Sequence, residues 1–306
     1  MSAPIVAQDV GRWYGQVVGL NELSVEIGTG ITGLLGPNGA GKTTFLRLVA
    51  GELKPSRGAI SVLGEDPFAN RDLFRRIGFC PQQDALYEDL TALEFVTFLS
   101  RLHGLTAQDA KVQSQRALER VGLSDAQNRP LHGLSKGMRQ RTRIAQSFAH
   151  APELLILDEP LTGLDPLVRL EMLDLFRELS DGGCSIVLSS HVLHEVSALT
   201  ESIALVHRGR LLARGTVPEI RTLLHRHPRQ VEIRARDTRS LASELVKMEV
   251  VSSVRFGKEQ HLSVETSDVD RFFRELTPLA ARTKPGIQEL ESVDAGLEAV
   301  FDYLVN

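Results

Sequence analysis

The sequence predicts an α/β fold on a parallel sheet, with a helical insertion and a smaller α+β unit after it. Three observations carry this expectation. Wholly apolar runs such as Leu154-Leu155-Ile156-Leu157 lack in–out alternation and suit strands covered on both faces. Stretches with helical spacing alternate with those runs. Beyond about residue 229 the pattern changes to short strands and amphipathic helices in the order βαββαβ-α.

Taken in order, Gly30 to Leu35 reads as a short buried strand that ends in a glycine-rich loop. Residues 44–50 follow as a packed helix carrying Phe45, Leu46, Leu48 and Val49. From about 84 to 149 apolar residues fall at Leu93, Phe95, Val96, Phe98 and Leu99, then at Val112, Ala117, Leu118 and Val121. That spacing predicts a helical insertion, and the lack of sustained heptads argues against a coiled-coil arm. Residues 154–157, 185–189 and 202–206 read as buried strands, with a helix from Leu167 to Leu179.

A boundary is expected near residues 217–230, giving domains 1–220 and 229–306. Residues 208–239 hold nine Arg against Glu219, Glu232 and Asp237. This basic segment is either a solvated linker and helix face or a contact for anionic lipid or a partner chain. In the tail, residues 231–235 alternate as a strand. Leu241, Ala242, Leu245 and Val246 mark a helix capped by Asp237 or Thr238. Residues 250–256 and 261–265 are two further strands. Val269, Phe272, Phe273 and Leu276 mark a helix after Asp268, residues 287–290 a strand, and Leu297, Val300, Phe301 and Leu304 a final helix. The order predicts a small ferredoxin-like domain.

Composition sets outer limits. The 306 residues suit about two domains of roughly 100–200 residues each. With 42% apolar and 24% charged residues the chain is not disordered. A net charge of −4 gives no general pull toward nucleic acid, and no specific nucleic-acid partner is expected. No apolar stretch approaches about 18 residues, so no membrane-spanning helix is predicted. Residues 1–10 lack a basic start and contain Asp9, so no signal peptide is expected. Cys80 and Cys184 alone exclude a disulfide framework and a multi-cysteine zinc site, and fit a reducing cytosol. Cys80 is expected to be a small buried residue.

The strongest chemical signal is Gly36-Pro37-Asn38-Gly39-Ala40-Gly41-Lys42-Thr43-Thr44, which matches G-x-x-x-x-G-K-[ST] between a predicted strand and helix. Its glycines let backbone N–H groups fold around a phosphate, and the next helix aims its N-terminus at the anion. Lys42 would reach the β- and γ-phosphates, and the Thr43 hydroxyl would ligate Mg²⁺. A second signal is the strand 154–157 followed by Asp158-Glu159-Pro160. Two carboxylates then stand at a sheet's C-terminal edge, where α/β proteins bind ligands. Asp158 would hold Mg²⁺ directly or through water, and Glu159 could act as general base on an attacking water.

Together with Leu134-Ser135-Lys136-Gly137-Met138-Arg139-Gln140-Arg141, these motifs resemble the ATP-binding subunits of ABC transporters over about residues 4–217. The resemblance implies a P-loop NTPase of ABC type with ATP and Mg²⁺ as its cofactors. It also assigns Tyr14 as the aromatic that stacks on adenine and Gln82 as a Mg²⁺ ligand facing the membrane subunit, a role that neighbouring Gln83 could take. The alternative reading of Tyr14 is an ordinary surface aromatic. Gly163-Leu164-Asp165 is similar to the family's D-loop, and His191 to its switch histidine, which contacts the γ-phosphate. Ser135 and Gly137 correspond to the phosphate-facing pair of the signature loop. Lys136 and Met138 stand where the usual signature has a glycine and a glutamine. Lys136 either adds charge near the γ-phosphate or is solvated.

The resemblance further implies a head-to-tail homodimer around ATP, a separate integral membrane permease, and a place on the cytoplasmic face of the membrane. The L-S-K-G-M form and the tail resemble exporter subunits. The rival classes are a soluble ABC ATPase of translation or repair and a regulatory, non-hydrolysing ABC protein. The first lacks support because the chain carries one P-loop and no long coiled coil. The second is opposed by the presence of both Glu159 and His191.

Overall fold

Leu154, Leu155, Ile156 and Leu157 are at most 1% exposed, as a strand covered on both faces must be. They belong to a computed structural model that describes residues 3–83, 86–216, 219–220, 229–258 and 260–292. The chain divides into two compact units, Met1–Gly215 and Thr216–Asn306.

The first unit runs β1 (Ile5–Tyr14), β2 (Val17–Ile27), β3 (Ile31–Leu35), α1 (Lys42–Val49), β4 (Arg57–Val62), α2 (Arg71–Phe74) and β5 (Ile77–Cys80). It continues through α3 (Ala92–Leu102), α4 (Ala107–Arg120), α5 (Lys136–Phe148), β6 (Leu154–Asp158) and α6 (Pro166–Asp181). Then come β7 (Ser185–Ser190), α7 (Leu193–Leu199), β8 (Ile203–His207) and β9 (Arg210–Gly215).

Its main sheet has the order β5-β6-β7-β3-β8-β9. The first five strands are parallel and β9 is antiparallel. The register pairs Cys80 with Leu157, Asp158 with Ser189, and Leu35 with Ser190. Four loops therefore leave one edge of the sheet side by side: those after β5, β6, β7 and β3. A C-terminal edge of this kind is where open α/β sheets bind ligands.

A second, antiparallel sheet of order β2-β1-β4 was not legible as strands in the sequence. The β1–β2 and β1–β4 ladders shift register between Ala7 and Arg12, so the apolar residues lose strict alternation. Phe45, Leu46, Leu48 and Val49 of α1 are fully buried in one core with Ile5, Leu23 and Ile27 of this sheet and Ile156 of the parallel one.

In the helical segment, Thr91 and Glu94 form a capping box at α3, Thr106 caps α4, and Ser135 caps α5 by accepting from Met138 N. α3 buries Ala92, Phe95, Val96 and Ser100, a stripe of i, i+3, i+4 and i+8. Phe98 lies off that stripe at 44% exposure, with Tyr87 packed edge-on at 6.1 Å. Val112 of α4 is likewise exposed. Cys80 is fully buried, and burial pushes its thiol up to about 12, so it is inert as a nucleophile.

The second unit comprises β10 (Arg229–Ala235), α8 (Thr238–Leu245), β11 (Val251–Phe256), β12 (His261–Thr266), α9 (Val269–Thr283) and β13 (Ile287–Ser292). Its antiparallel sheet has the order β11-β12-β10-β13. Val231, Ile233, Leu262 and Val264 pack with Leu241, Leu245, Phe272 and Leu276 of the two helices. Asp237 and Asp268 cap those helices by accepting from Ser240 N and Arg271 N. The final helix expected at 297–304 lies outside the described residues, as does most of the expected linker 217–230.

Candidate active site

The loop 36–41 turns from β3 into α1 with glycines where side chains do not fit. A Cβ on Gly36 would fall 2.2 Å from the Val206 carbonyl oxygen. Gly41 has φ +108°, and a Cβ there would meet Gly19 O at 2.7 Å. The loop lines a cleft of about 470 Å³ with Tyr14, Val17, Val18, Gly19, Gln82 and Glu159. Pro37, Asn38, Gly39, Ala40, Gly41, Lys42, Thr43 and Thr44 all line it. Tyr14, at the end of β1, is 40% exposed and carries the Arg12 guanidinium 5.1 Å from its ring centroid.

Lys42 is buried to 6% exposure. Its Nζ donates to Gly36 O at 2.7 Å and Pro37 O at 3.3 Å, and lies 3.5 Å from Glu159 Oε1. The ammonium is thus held at the mouth of the loop by backbone and carboxylate together.

Asp158 ends β6 at 1% exposure. Its Oδ1 accepts from Ser189 Oγ at 2.6 Å, a contact set by the Asp158–Ser189 register. Its Oδ2 is buried with no hydrogen-bond partner. Burial raises this carboxyl above the usual Asp range; the hydroxyls of Ser189 and Thr43 pull it back, Glu159 raises it further and Lys42 lowers it. An unsatisfied buried carboxylate oxygen beside the Thr43 hydroxyl is a hard-oxygen donor set, and these residues fit a Mg²⁺ ion.

Glu159 follows with φ +51°, a left-handed conformation that costs a non-glycine residue about 1–3 kcal/mol. Its backbone N–H donates to the same Ser189 Oγ at 2.9 Å. The reversed backbone takes the residue off the strand line into the cleft wall. There Oε2 meets His191 Nδ1 at 2.8 Å and accepts from Thr162 Oγ1 at 3.5 Å. The Glu159 side chain is 6% exposed and that of His191 47%.

The structure therefore lines one cleft with Tyr14, residues 37–44, Gln82 and Glu159; Asp158 and His191 do not line it, and His191 joins it through Glu159. Ser135, Gly137 and Asp165 are not among its lining residues. Ser135 and Asp165 are exposed, at the N-caps of α5 and α6. Lys136 is exposed, and its stem lies over Gly163, where a Cβ would come 3.0 Å from Lys136 Cε. Sequence reasoning missed Ser189, which serves Asp158 and Glu159 at once. Its only sequence signal is its place two residues before His191, at the end of a neighbouring strand.

A family model described as ABC transporter matches residues 20–162. The Nod factor export ATP-binding protein I of Burkholderia orbicola (strain AU 1054) is 35% identical over 303 residues, 98% of this chain and 96% of the relative. The chain belongs to the ABC transporter family of ATP-binding proteins. Its members are ATPases. Another ABC relative, the daunorubicin/doxorubicin resistance ATP-binding protein DrrA of Streptomyces peucetius, is 33% identical over 291 residues, 94% of this chain and 88% of that one. The chain spans only 62% and 64% of the length of two further curated ABC relatives. A solved ATP-binding subunit of an ABC transporter superposes with a TM-score of 0.67 at 29% identity, over 72% of this chain and 93% of that one.

Proposed function

We propose that this chain binds and hydrolyses ATP to power a separate membrane permease that exports its substrate. The observation that carries the reading is the Glu159 carboxylate, held between Lys42 and His191 in the wall of the cleft formed by the 36–44 loop. Tyr14 stacks on the base, and the 36–44 loop cradles the phosphates with Lys42 on the β- and γ-groups. Thr43, Asp158 and Gln82 would hold Mg²⁺, which supplies charge neutralisation on the phosphates. Glu159 takes the proton of the attacking water, and His191 orients Glu159 and contacts the γ-phosphate.

Ser135 and Gly137 do not line their own chain's cleft, which favours a second copy whose signature loop completes the site head to tail. Among the described residues no helix is long and apolar enough to cross a membrane, so these residues supply no helical path through lipid. In this reading the permease is a different chain, and this one works on the inner membrane face. Likeness over nearly the full length to a Nod factor export protein supports the export direction.

The test is Glu159→Gln. Phosphate release should fall about 10²–10⁴-fold, while binding of a fluorescent ATP analogue is retained. Turnover within about threefold of the parent would overturn the assignment.

A further inference from the structure

We propose that Arg169 and Glu195 are positioning residues that tie loop 163–165 to His191, and through it to Glu159. The inference rests on Glu159 acting as the base.

Glu195 lies in α7, 7% exposed. Its Oε1 accepts from Arg169 Nη1 at 2.6 Å, and its Oε2 lies 3.4 Å from Ser190 Oγ, whose single hydrogen faces either that carboxylate or Val192 O at 3.3 Å. Ser190 immediately precedes His191. Its Oγ also accepts from Val192 N at 2.9 Å, so one hydroxyl pins the backbone on both sides of that histidine. At the other end, Arg169 Nη2 donates to Leu164 O at 3.3 Å, and Arg169 N donates to Asp165 O at 2.9 Å. The contacts form one chain: Leu164 and Asp165, Arg169, Glu195, Ser190, His191, Glu159.

The Glu195 side chain is buried, that of Arg169 is 34% exposed, and the contact between them is charge-assisted. Arg169 Nε is buried without a hydrogen-bond partner. The guanidinium is thus placed for its two Nη contacts. One end of the link lies on loop 163–165, and the other on Ser190, the last residue of β7 and the neighbour of His191. Through Ser190, Arg169 and Glu195 hold His191 against Glu159.

The test uses the full chain with Arg169→Gln, Glu195→Gln, their combination, and Arg169→Lys, which keeps the charge but not the two-pronged contact. We expect kcat for ATP to fall about tenfold in each single variant with KM changed less than about twofold. The double variant should be no worse than the poorer single. The His191 imidazole resonance in isotope-labelled protein should shift in Glu195→Gln, and Arg169→Lys should lose kcat with its melting temperature unchanged. Single variants with kcat within twofold of the parent, additive losses, or an unmoved His191 resonance would overturn the link. Glu159→Gln separates the two failures. If it is inactive while Glu195→Gln is fully active, only the link fails; if it is active, the base assignment fails first.

Discussion

His191 Nδ1 lies 2.8 Å from Glu159 Oε2, although 32 positions separate the two residues. The parallel register of β6 and β7 makes the contact. Asp158 and Ser189 are level in the sheet, so the residues one and two places beyond them emerge together. The carboxylate is then bracketed by His191 on Oε2 and Lys42 on Oε1.

His191→Ala should therefore act through Glu159. It frees one carboxylate oxygen and leaves the 36–44 loop untouched. ATP turnover should drop about 10²-fold with analogue binding within about threefold of the parent. Loss of binding in step with turnover would show that His191 serves the loop and not the carboxylate.

Ser135 stands outside the cleft, which bears on how the site is completed. Lys42→Ala and Ser135→Arg homodimers should each be inactive, the first for want of the phosphate cation, the second because a bulky side chain enters each signature loop. In a mixed dimer one site carries both lesions and the other pairs an intact loop 36–44 with an intact signature. ATPase activity should return at intermediate mixing ratios, with exchange confirmed by differential tags. A Ser135→Arg chain that is fully active alone would exclude a shared site.

The His103 and His150 rings stack at 3.7 Å with 7° between their planes. His103 Nδ1 donates to Phe74 O and His150 Nε2 to Ile77 O, so each bonded nitrogen carries the proton. Burial, helped by the His103 charge, pushes His150 down to about 4, and burial lowers His103 as well. The pair is neutral in the fold, while the unfolded chain takes up protons below about 6.5. Stability from His150 is thus full above about pH 6.5 and lost as pH falls toward 4, by at most about 3 kcal/mol. His150→Gln should flatten the fall of the urea midpoint between pH 7 and 4.5. A slope unchanged from the parent would show that His150 does not titrate with unfolding.

Much of the architecture was local enough to be legible. Mainly apolar runs marked β3, β6, β7 and β8, and Asp237 or Thr238, with Asp268, marked two helix starts. The string from Gly36 to Thr44 announced a phosphate loop because its glycines and lysine are consecutive. The apolar residues 93–99 marked α3, but spacing alone did not say that Phe95 and Val96 meet the core while Phe98 is exposed.

What the sequence determined by itself was the set of groups: a glycine loop with Lys42, two carboxylates at a strand end, a histidine after another strand, and six of the tail's seven expected elements, the seventh lying outside the described residues. The tertiary structure alone decided their partners. Strand order and register set Ser189 beneath both Asp158 and Glu159, turned Glu159 between Lys42 and His191, and joined Arg169 to Glu195. Those contacts link residues 26 to 117 positions apart (Arg169 to Glu195 and Lys42 to Glu159). Hydrogen bonds of a few ångströms between such distant segments depend on how the sheet is assembled, which no local spacing encodes.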